Sequence, residues 1–364
     1  MGSSIESINS KETETPSVST PSRQGVVTTC FVSIVIPCFN EERFIGQVLE
    51  NLVHQYEHKH YEIIVVDGNS TDDTRRVISN FMAQNAGLLI RVIDNPTRSI
   101  PAALNLGIRE AQGELVLRMD AHSVPSENYV RRCVELLTDE QASVVGMPWH
   151  IQPGNNSSVA HAIALAVAHP FGIGDARYRL RQASPQFVDT VPFGAFKKSL
   201  WQQLGGFNES LLTNEDYDFH YRVKQIGGRV LLDNMAHSDY FARGSFREIA
   251  AQYSRYGRWK AQMVKLHPRS IRMRQLVAPA FVLLLLSAIP VSLLWPAAIW
   301  FFTIVIALYA LLALVFALGI AHRAQNWKLF PLLPIIFFVI HTTWGTSFLL
   351  GLVRPPEESH PVVA

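Results

Sequence analysis

The pattern of hydrophobic and polar positions divides the chain into two parts of different character. Between about residue 32 and residue 119, short apolar runs alternate with segments whose apolar residues recur at helical spacing. From Leu276 onward the apolar residues instead form long, nearly uninterrupted runs. The short runs predict buried strands, and they lie at residues 32–37, 63–67, 89–93 and 115–119.

The segments between these strands predict helices. Apolar residues repeat with a helical period over residues 44–56, and the side-chain oxygens of residues 70–73 can cap a second helix. Ser99 and Pro101 are typical first residues of a third helix. Strands and helices that alternate at this length predict a parallel, doubly wound α/β sheet.

Polar residues follow three of the predicted strands directly. They are Cys38-Phe39-Asn40-Glu41, Asp67-Gly68-Asn69-Ser70 and Asp120-Ala121-His122. Ligands of such sheets bind at the carboxyl ends of the strands. Asp120 and His122, on alternate residues, can both reach one divalent cation, and their ligand types suit Mg²⁺ or Mn²⁺ on a diphosphate. For Asp120 alone, a role as a turn residue or helix cap is the alternative.

Composition narrows the class of ligand. The net charge of +2 on 364 residues does not indicate a nucleic-acid partner, and three cysteines without metal-type spacing indicate neither a disulfide framework nor a metal site. No Gly-x-Gly-x-x-Gly follows the first strand, so a nucleotide held by loop carboxylates and a metal is favoured over dinucleotide binding. His150, His161 and His169 are spread along an apolar segment, and we expect them in the core or an interface.

Three apolar runs near the C-terminus are long enough to cross a membrane, which takes ~20 helical residues. They cover residues 276–295, 297–320 and 330–353. The alternative is a set of buried helices in a soluble domain. Basic residues precede the first run and separate the second from the third: Lys260, Lys265, Arg269, Arg272, Arg274, Arg323 and Lys328. By the positive-inside rule, the large N-terminal part is cytoplasmic.

Taken in order, the motifs resemble the inverting GT-A glycosyltransferases of family 2. Residues 34–41, 65–74 and 105–107 and Asp120-Ala121-His122 are similar to the nucleotide-sugar half of that family. Residues 205–209 and 214–218 are similar to its acceptor half, so the resemblance covers roughly residues 32–260. The histidine in the metal motif and the C-terminal helices most resemble the succinoglycan-type glucosyltransferases of bacterial exopolysaccharide assembly.

The resemblance and the hydropathy pattern together imply a division of the chain. We expect a GT-A sheet domain followed by C-terminal transmembrane helices. The expected segments are a disordered tail over 1–28, the GT-A domain over 29–244, an amphipathic interface helix region over 245–275, three transmembrane helices over 276–353 and a tail over 354–364.

The resemblance implies roles for residues of the nucleotide-sugar half. Asp120 would bind the metal, Mg²⁺ or Mn²⁺, and His122 takes the place of a second Asp; a neutral imidazole supplies less negative charge than a carboxylate. Arg98 could meet phosphate, or be a solvated loop residue. The residues implied in nucleotide-sugar binding are Pro37, Asn40, Glu41, Asp67, Asn69, Arg98 and Asp120, with Asp67 near the base.

The resemblance also implies roles in the acceptor half. An inverting transfer needs a carboxylate to take the proton of the acceptor hydroxyl, and Asp216 is implied as that base, with Glu215 as its orienting neighbour. From the residues alone, the favoured explanation is instead that Asp216 interacts with the positive start of a helix.

The next helix carries a further motif of the family. Ser245 to Glu248 has the form of a capping box. The family carries Gln-x-x-Arg-Trp beside acceptor and diphosphate, which here is Gln252, Arg255 and Tyr256. The alternative is an amphipathic helix on the membrane surface, with Arg255, Arg258 and Lys260 facing lipid phosphates.

These inferences lead to one hypothesis about function. The resemblance implies a membrane-anchored enzyme that moves a hexose from a UDP-sugar to a lipid-linked or growing glycan at the cytoplasmic face of a bacterial inner membrane. One alternative is a polyprenyl-phosphate sugar synthase, whose acceptor needs little help from a base. Another is an inactive nucleotide-binding subunit of a polysaccharide export system.

Overall fold

The structure, a computed structural model, describes residues 31–57, 60–180 and 184–354. The tail expected over 1–28 and all but the first residue of the tail expected over 354–364 lie outside this range. The first elements are β1 (Val32–Cys38), α1 (Ile45–Leu52), β2 (Tyr61–Asp67), α2 (Thr74–Gln84), β3 (Leu89–Asp94), α3 (Ile100–Glu110), β4 (Leu115–Arg118), β5 (Ser123–Pro125) and α4 (Tyr129–Thr138).

Further elements complete the domain and the C-terminal helices. They are β6 (Val144–Gly146), β7 (Trp149–Gln152), α5 (Ser158–Ala166), α6 (Pro170–Ile173), β8 (Gln186–Phe187), β9 (Ala195–Lys197), α7 (Lys198–Leu204), α8 (Glu215–Gln225), β10 (Val230–Leu232), β11 (Ser238–Phe241), α9 (Phe246–Leu266), α10 (Met273–Leu294), α11 (Ala298–Arg323) and α12 (Leu332–Val353).

The main sheet has eight strands in the order β3-β2-β1-β4-β9-β6-β10-β8. The four strands predicted from apolar runs agree with the structure within two residues at each end, and they pair in parallel. The sheet is mixed rather than wholly parallel, because β9 runs antiparallel to both β4 and β6. A strand of three residues carries too little periodicity to be read from sequence.

A smaller sheet, β5-β11-β7, connects the domain to the C-terminal helices. Tyr240 of β11 and Ile249 of α9 belong to a hydrophobic core that also includes α5, α11 and α12. The main sheet has its own cores, one on each face. The domain and the helices therefore share apolar packing.

Helix α9 packs tightly along α12. A Cβ built on Gly257 of α9 would lie 2.3 Å from the carbonyl oxygen of Trp344, and one on Gly351 of α12 would lie 2.8 Å from the Cβ of Ala261. Glycines at such contacts let two helix backbones approach closely. Lys260 of α9 is only 3% exposed, so the alternative in which it faces lipid phosphates is wrong.

Helices α10, α11 and α12 are long and apolar enough to cross a membrane. Their bounds lie within three residues of the predicted runs. Large apolar side chains are exposed on them, among them Leu286, Ile289, Trp300 and Ile304. Contiguous apolar surface of this kind marks contact with a membrane or partner.

Candidate active site

One cleft of about 1260 Å³ extends from the carboxyl ends of β1 and β4 to the three long helices. It brings together ten of the thirteen predicted site residues, namely Pro37, Glu41, Arg98, Asp120, His122, Glu215, Asp216, Gln252, Arg255 and Tyr256. Asn40, Asp67 and Asn69 do not line it. Residues about 220 positions apart in sequence therefore face one space.

Asp67, the last residue of β2, is fully buried. Its carboxylate accepts hydrogen bonds from Arg75 Nε at 2.6 Å and from the backbone N–H of Ser70 at 3.1 Å. Within the cleft wall, Gly68 stands next to it. In this conformation Asp67 fixes the loop after β2, and its contact with the nucleobase of the donor stays a prediction.

Asn40 and Asn69 shape the loops that follow β1 and β2. Both have positive φ, +54° and +58°, a region that short amide side chains tolerate. The Asn40 Oδ1 accepts a hydrogen bond from the backbone N–H of Thr71 at 2.8 Å, which ties the first loop to the second. Phe39, which precedes Asn40 in the chain, lines the cleft.

Arg98 also has a positive φ of +54°, which is uncommon for a long side chain. Its guanidinium carbon lies 5.0 Å from the ring centroid of Phe39. The residue is half-buried and lines the cleft. Arg98 is therefore held against the wall, at a place where a phosphate could reach it.

Arg118 is the hub of the site, and sequence reasoning missed it. It ends β4, is 7% exposed, and donates from Nη1 to Glu215 Oε1 at 2.7 Å and from Nη2 to Asp120 Oδ1 at 3.2 Å. Burial alone would lower its pKa, but the surrounding carboxylates raise it. The available signal was one charged residue inside an otherwise apolar strand.

The residues proposed as metal ligands fit a divalent cation. Both hydrogen bonds from Arg118 go to Oδ1 of Asp120, and Oδ2 accepts none from the described residues. His122 Nδ1 lies 2.9 Å from Glu41 Oε1. Metal-ligating histidines usually hold a carboxylate with the other ring nitrogen in this way. With two protein ligands, the remaining positions would fall to phosphate oxygens and water, as is usual for Mg²⁺.

A second group of potential metal ligands lies at the surface. Side-chain ligand atoms of His150, His237 and Asp239 come within 4.8 Å of one another on β7, β11 and the preceding turn. His150 is exposed, so it does not lie in the core, and its expected place in an interface stays a prediction. This group is not in the cleft.

The start of α8 presents the two predicted catalytic carboxyls. Asn214 precedes it with a φ of +70°, Glu215 is 5% exposed and Asp216 is half-buried in the cleft. Burial raises the pKa of both carboxyls, and the charge of Arg118 opposes that effect. A buried carboxyl held between these influences is suited to proton transfer.

Comparison with known proteins identifies the domain. The fold is similar to that of a mannosyltransferase from Pyrobaculum calidifontis solved with GDP-Man and Mn²⁺, with a TM-score of 0.60 at 19% identity over 88% of this chain and 87% of that one. Residues 33–204 match the model described as "Glycosyl transferase family 2". Residues 33–204 are a glycosyl transferase family 2 domain.

Two relatives are similar over nearly their whole length. The chain is 27% identical, over 89% of its length and 98% of the relative, to "Dolichyl N-acetyl-alpha-D-glucosaminyl phosphate 3-beta-D-2,3-diacetamido-2,3-dideoxy-beta-D-glucuronosyltransferase" of Methanococcus voltae. It is 27% identical, over 86% and 93%, to "Succinoglycan biosynthesis protein ExoA" of Rhizobium meliloti. The protein is a glycosyltransferase with a GT-A fold.

The glycosyltransferase family 2 domain is followed by the predicted acceptor motif on α9. Gln252 Nε2 donates to the hydroxyl of Tyr240 at 2.9 Å and to that of Tyr256 at 3.1 Å. Arg255 lines the cleft and forms no ion pair within the described chain. At the start of α9, Ser245 accepts from the Glu248 N–H, whereas the Glu248 carboxylate accepts from the N–H of Gly244. The Ser245 half of the expected capping box is therefore present, whereas the Glu248 carboxylate bonds Gly244 instead of Ser245.

Proposed function

We propose that this glycosyltransferase transfers a hexose, with inversion, from a UDP-sugar to a lipid-linked saccharide or growing glycan. One observation carries the proposal: the cleft that holds Asp120 and Asp216 continues among α10, α11 and α12. The relatives support it, because one is named for a dolichyl-linked acceptor and the other for succinoglycan synthesis.

The roles of the residues follow from their positions. The acceptor hydroxyl attacks the anomeric carbon from the face opposite the diphosphate, the bond to the UDP oxygen breaks, and Asp216 takes the hydroxyl proton. Glu215 and Arg118 hold the start of α8 against the end of β4 and so position Asp216. Asp120 and His122 would hold Mg²⁺ or Mn²⁺, which neutralises charge on the departing diphosphate.

The enzyme would work at the cytoplasmic face of a bacterial inner membrane as a multi-pass protein. Basic residues support this orientation, since Arg272 precedes α10 and Arg274 lies in its first turn. Arg323 ends α11, and Lys328 lies in the connection from α11 to α12. The turn between α10 and α11 carries no charge. The catalytic domain would then face the leaflet in which lipid-linked acceptors are presented.

The proposal is tested with the full chain in lipid nanodiscs. Radiolabelled UDP-sugars are supplied with a bacterial lipid extract, and the product is identified by mass and the anomeric configuration by NMR. We expect one UDP-hexose to give a lipid-linked product of inverted configuration. Equal UDP release from all donors, with lipid acceptor present, contradicts the proposal.

A further inference from the structure

A buried arginine that has no counter-charge among the described residues lies in the cleft. Arg179 belongs to the 3₁₀ turn Arg177–Arg179, is 6% exposed and lines the cleft. Its Nη1 has no hydrogen-bond partner, and it forms no ion pair with a carboxylate of the described residues. A buried charge is costly unless it is paired, so this one needs an anion.

Aromatic rings hold the Arg179 guanidinium in place. Its carbon lies 4.7 Å from the ring centroid of Trp149, 5.6 Å from that of Tyr178 and 5.7 Å from that of Tyr240. Trp149 and Tyr240 are themselves stacked, with centroids 4.0 Å apart. Ring faces partly compensate a cation, but they leave the N–H groups in the guanidinium plane unsatisfied. These groups match the oxygens of a phosphate.

The aromatic cage is continuous with the acceptor motif. The hydroxyl of Tyr240, one wall of the cage, accepts from Gln252, which also bonds Tyr256. From there the cleft continues between the membrane helices, where its lining is mainly apolar: Phe281, Leu308, Leu312, Ile340 and Trp344. A ligand with one anionic group and a hydrocarbon chain matches a cleft that has Arg179 at one place and an apolar lining next to it.

Other cations along this part of the cleft differ from Arg179. Arg274 is paired with both Asp175 and Asp189. Lys260 contacts neutral groups, the Ser270 carbonyl at 3.4 Å among them, and burial lowers its pKa to about 7. Arg255 has no ion pair within the described chain either, but it is only half-buried. Arg179 is the buried permanent charge here that has no carboxylate partner within the described residues.

We propose that Arg179 binds the phosphate that links the acceptor saccharide to its lipid, and that the lipid chain lies between α10, α11 and α12. This rests on the proposed function and names the acceptor class. The donor diphosphate is assigned to Asp120 and Arg98, at the strand ends. Arg179 would therefore act on acceptor binding and leave donor binding unchanged.

The test is a binding measurement that needs no turnover, so it stands even where the transfer reaction fails. Full-length protein in nanodiscs is titrated with farnesyl diphosphate, farnesyl phosphate, farnesol and inorganic diphosphate. Binding is followed by tryptophan fluorescence, since Trp149 forms the cage. UDP with Mg²⁺ is titrated separately to monitor the donor site and the integrity of the fold.

Arg179→Gln is compared with Arg177→Gln, which changes an exposed arginine of the same turn. We expect Arg179→Gln to weaken both farnesyl phosphates about 10- to 100-fold, the scale of a charge-assisted hydrogen bond, down to the affinity of farnesol. UDP binding and the Arg177→Gln protein should match wild type. Arg179→Lys keeps the charge but not the planar guanidinium, so its affinity for the farnesyl phosphates should fall less. It replaces the Gln variant in the test if that variant fails to fold.

Three results would overturn the proposal. Loss of UDP affinity in a folded Arg179→Lys protein would place the arginine at the donor. Inorganic diphosphate bound as tightly as farnesyl diphosphate would indicate a site for free anions. Equal affinity of the wild-type protein for farnesyl phosphate and farnesol would show that it has no anion site for the lipid phosphate.

Discussion

Replacement of Arg118 by Gln tests the hub that joins β4 to α8. The side chains of Arg118 and Glu215 are 8% and 6% exposed, so their interaction at 2.7 Å is little screened by solvent. The substitution leaves Glu215 buried without its partner. Breaking a buried pair in this way costs about 3–5 kcal/mol. An unfolding entropy of about 2.1 cal/mol/K per residue over 364 residues corresponds to about 1.3 °C per kcal/mol, so the thermal midpoint should fall by about 4–7 °C.

The assay is thermal unfolding of the detergent-solubilised full chain, read by intrinsic fluorescence for four proteins: wild type, Arg118→Gln, Glu215→Gln and the double variant. The double variant removes both charges together, so we expect it to be more stable than Arg118→Gln alone. Turnover should fall in every variant, because the start of α8 carries Asp216. Thermal shifts that simply add, with no coupling between the two positions, would refute the assignment of Arg118 as the hub.

Further outcomes follow from the same geometry. Asp216→Asn should lower turnover about 10²- to 10⁴-fold with UDP affinity retained, and near-normal turnover would favour a phosphate acceptor that needs no base. Because burial raises the Asp216 pKa and the base must be ionised, wild-type turnover should fall as pH drops through a midpoint above the ordinary aspartate value. Chelation should abolish the activity of the wild type and of His237→Ala, and added Mg²⁺ or Mn²⁺ should restore it. Neither ion should restore activity to Asp120→Asn. Restored activity in Asp120→Asn would argue against Asp120 as a metal ligand. Gly257→Ala should lower the thermal midpoint, since the new Cβ would meet the Trp344 carbonyl, whereas Gly319→Ala has open space and should not.

Hydropathy located the strands that are buried on both faces, since such strands are continuous apolar runs. β1 and β2 are therefore found nearly residue for residue. The short strand β9 has no such signal, because its place depends on pairing with β4 and β6 rather than on its own sequence.

The candidate site was predictable where a family motif marks it. Asp120 and Asp216 lie in the expected cleft, while their roles remain predictions. Arg118 looked like an interruption in an apolar strand, and its meaning depends on Glu215, which is 97 residues away. Arg179 lies in a segment without a motif, and only the folded chain shows that rings surround it.

The glycine contacts between α9 and α12 have a consequence for which acceptors can be used. Gly257 and Gly351 bring the two helix backbones together at two points, and hydrogen bonds of Asp218 with His267 and of Tyr217 with Ser270 join α8 to the end of α9. If α12 spans the bilayer, these contacts would hold Asp216 at a defined height above the lipid surface. The enzyme would then select acceptors by how far their reactive hydroxyl extends from the membrane.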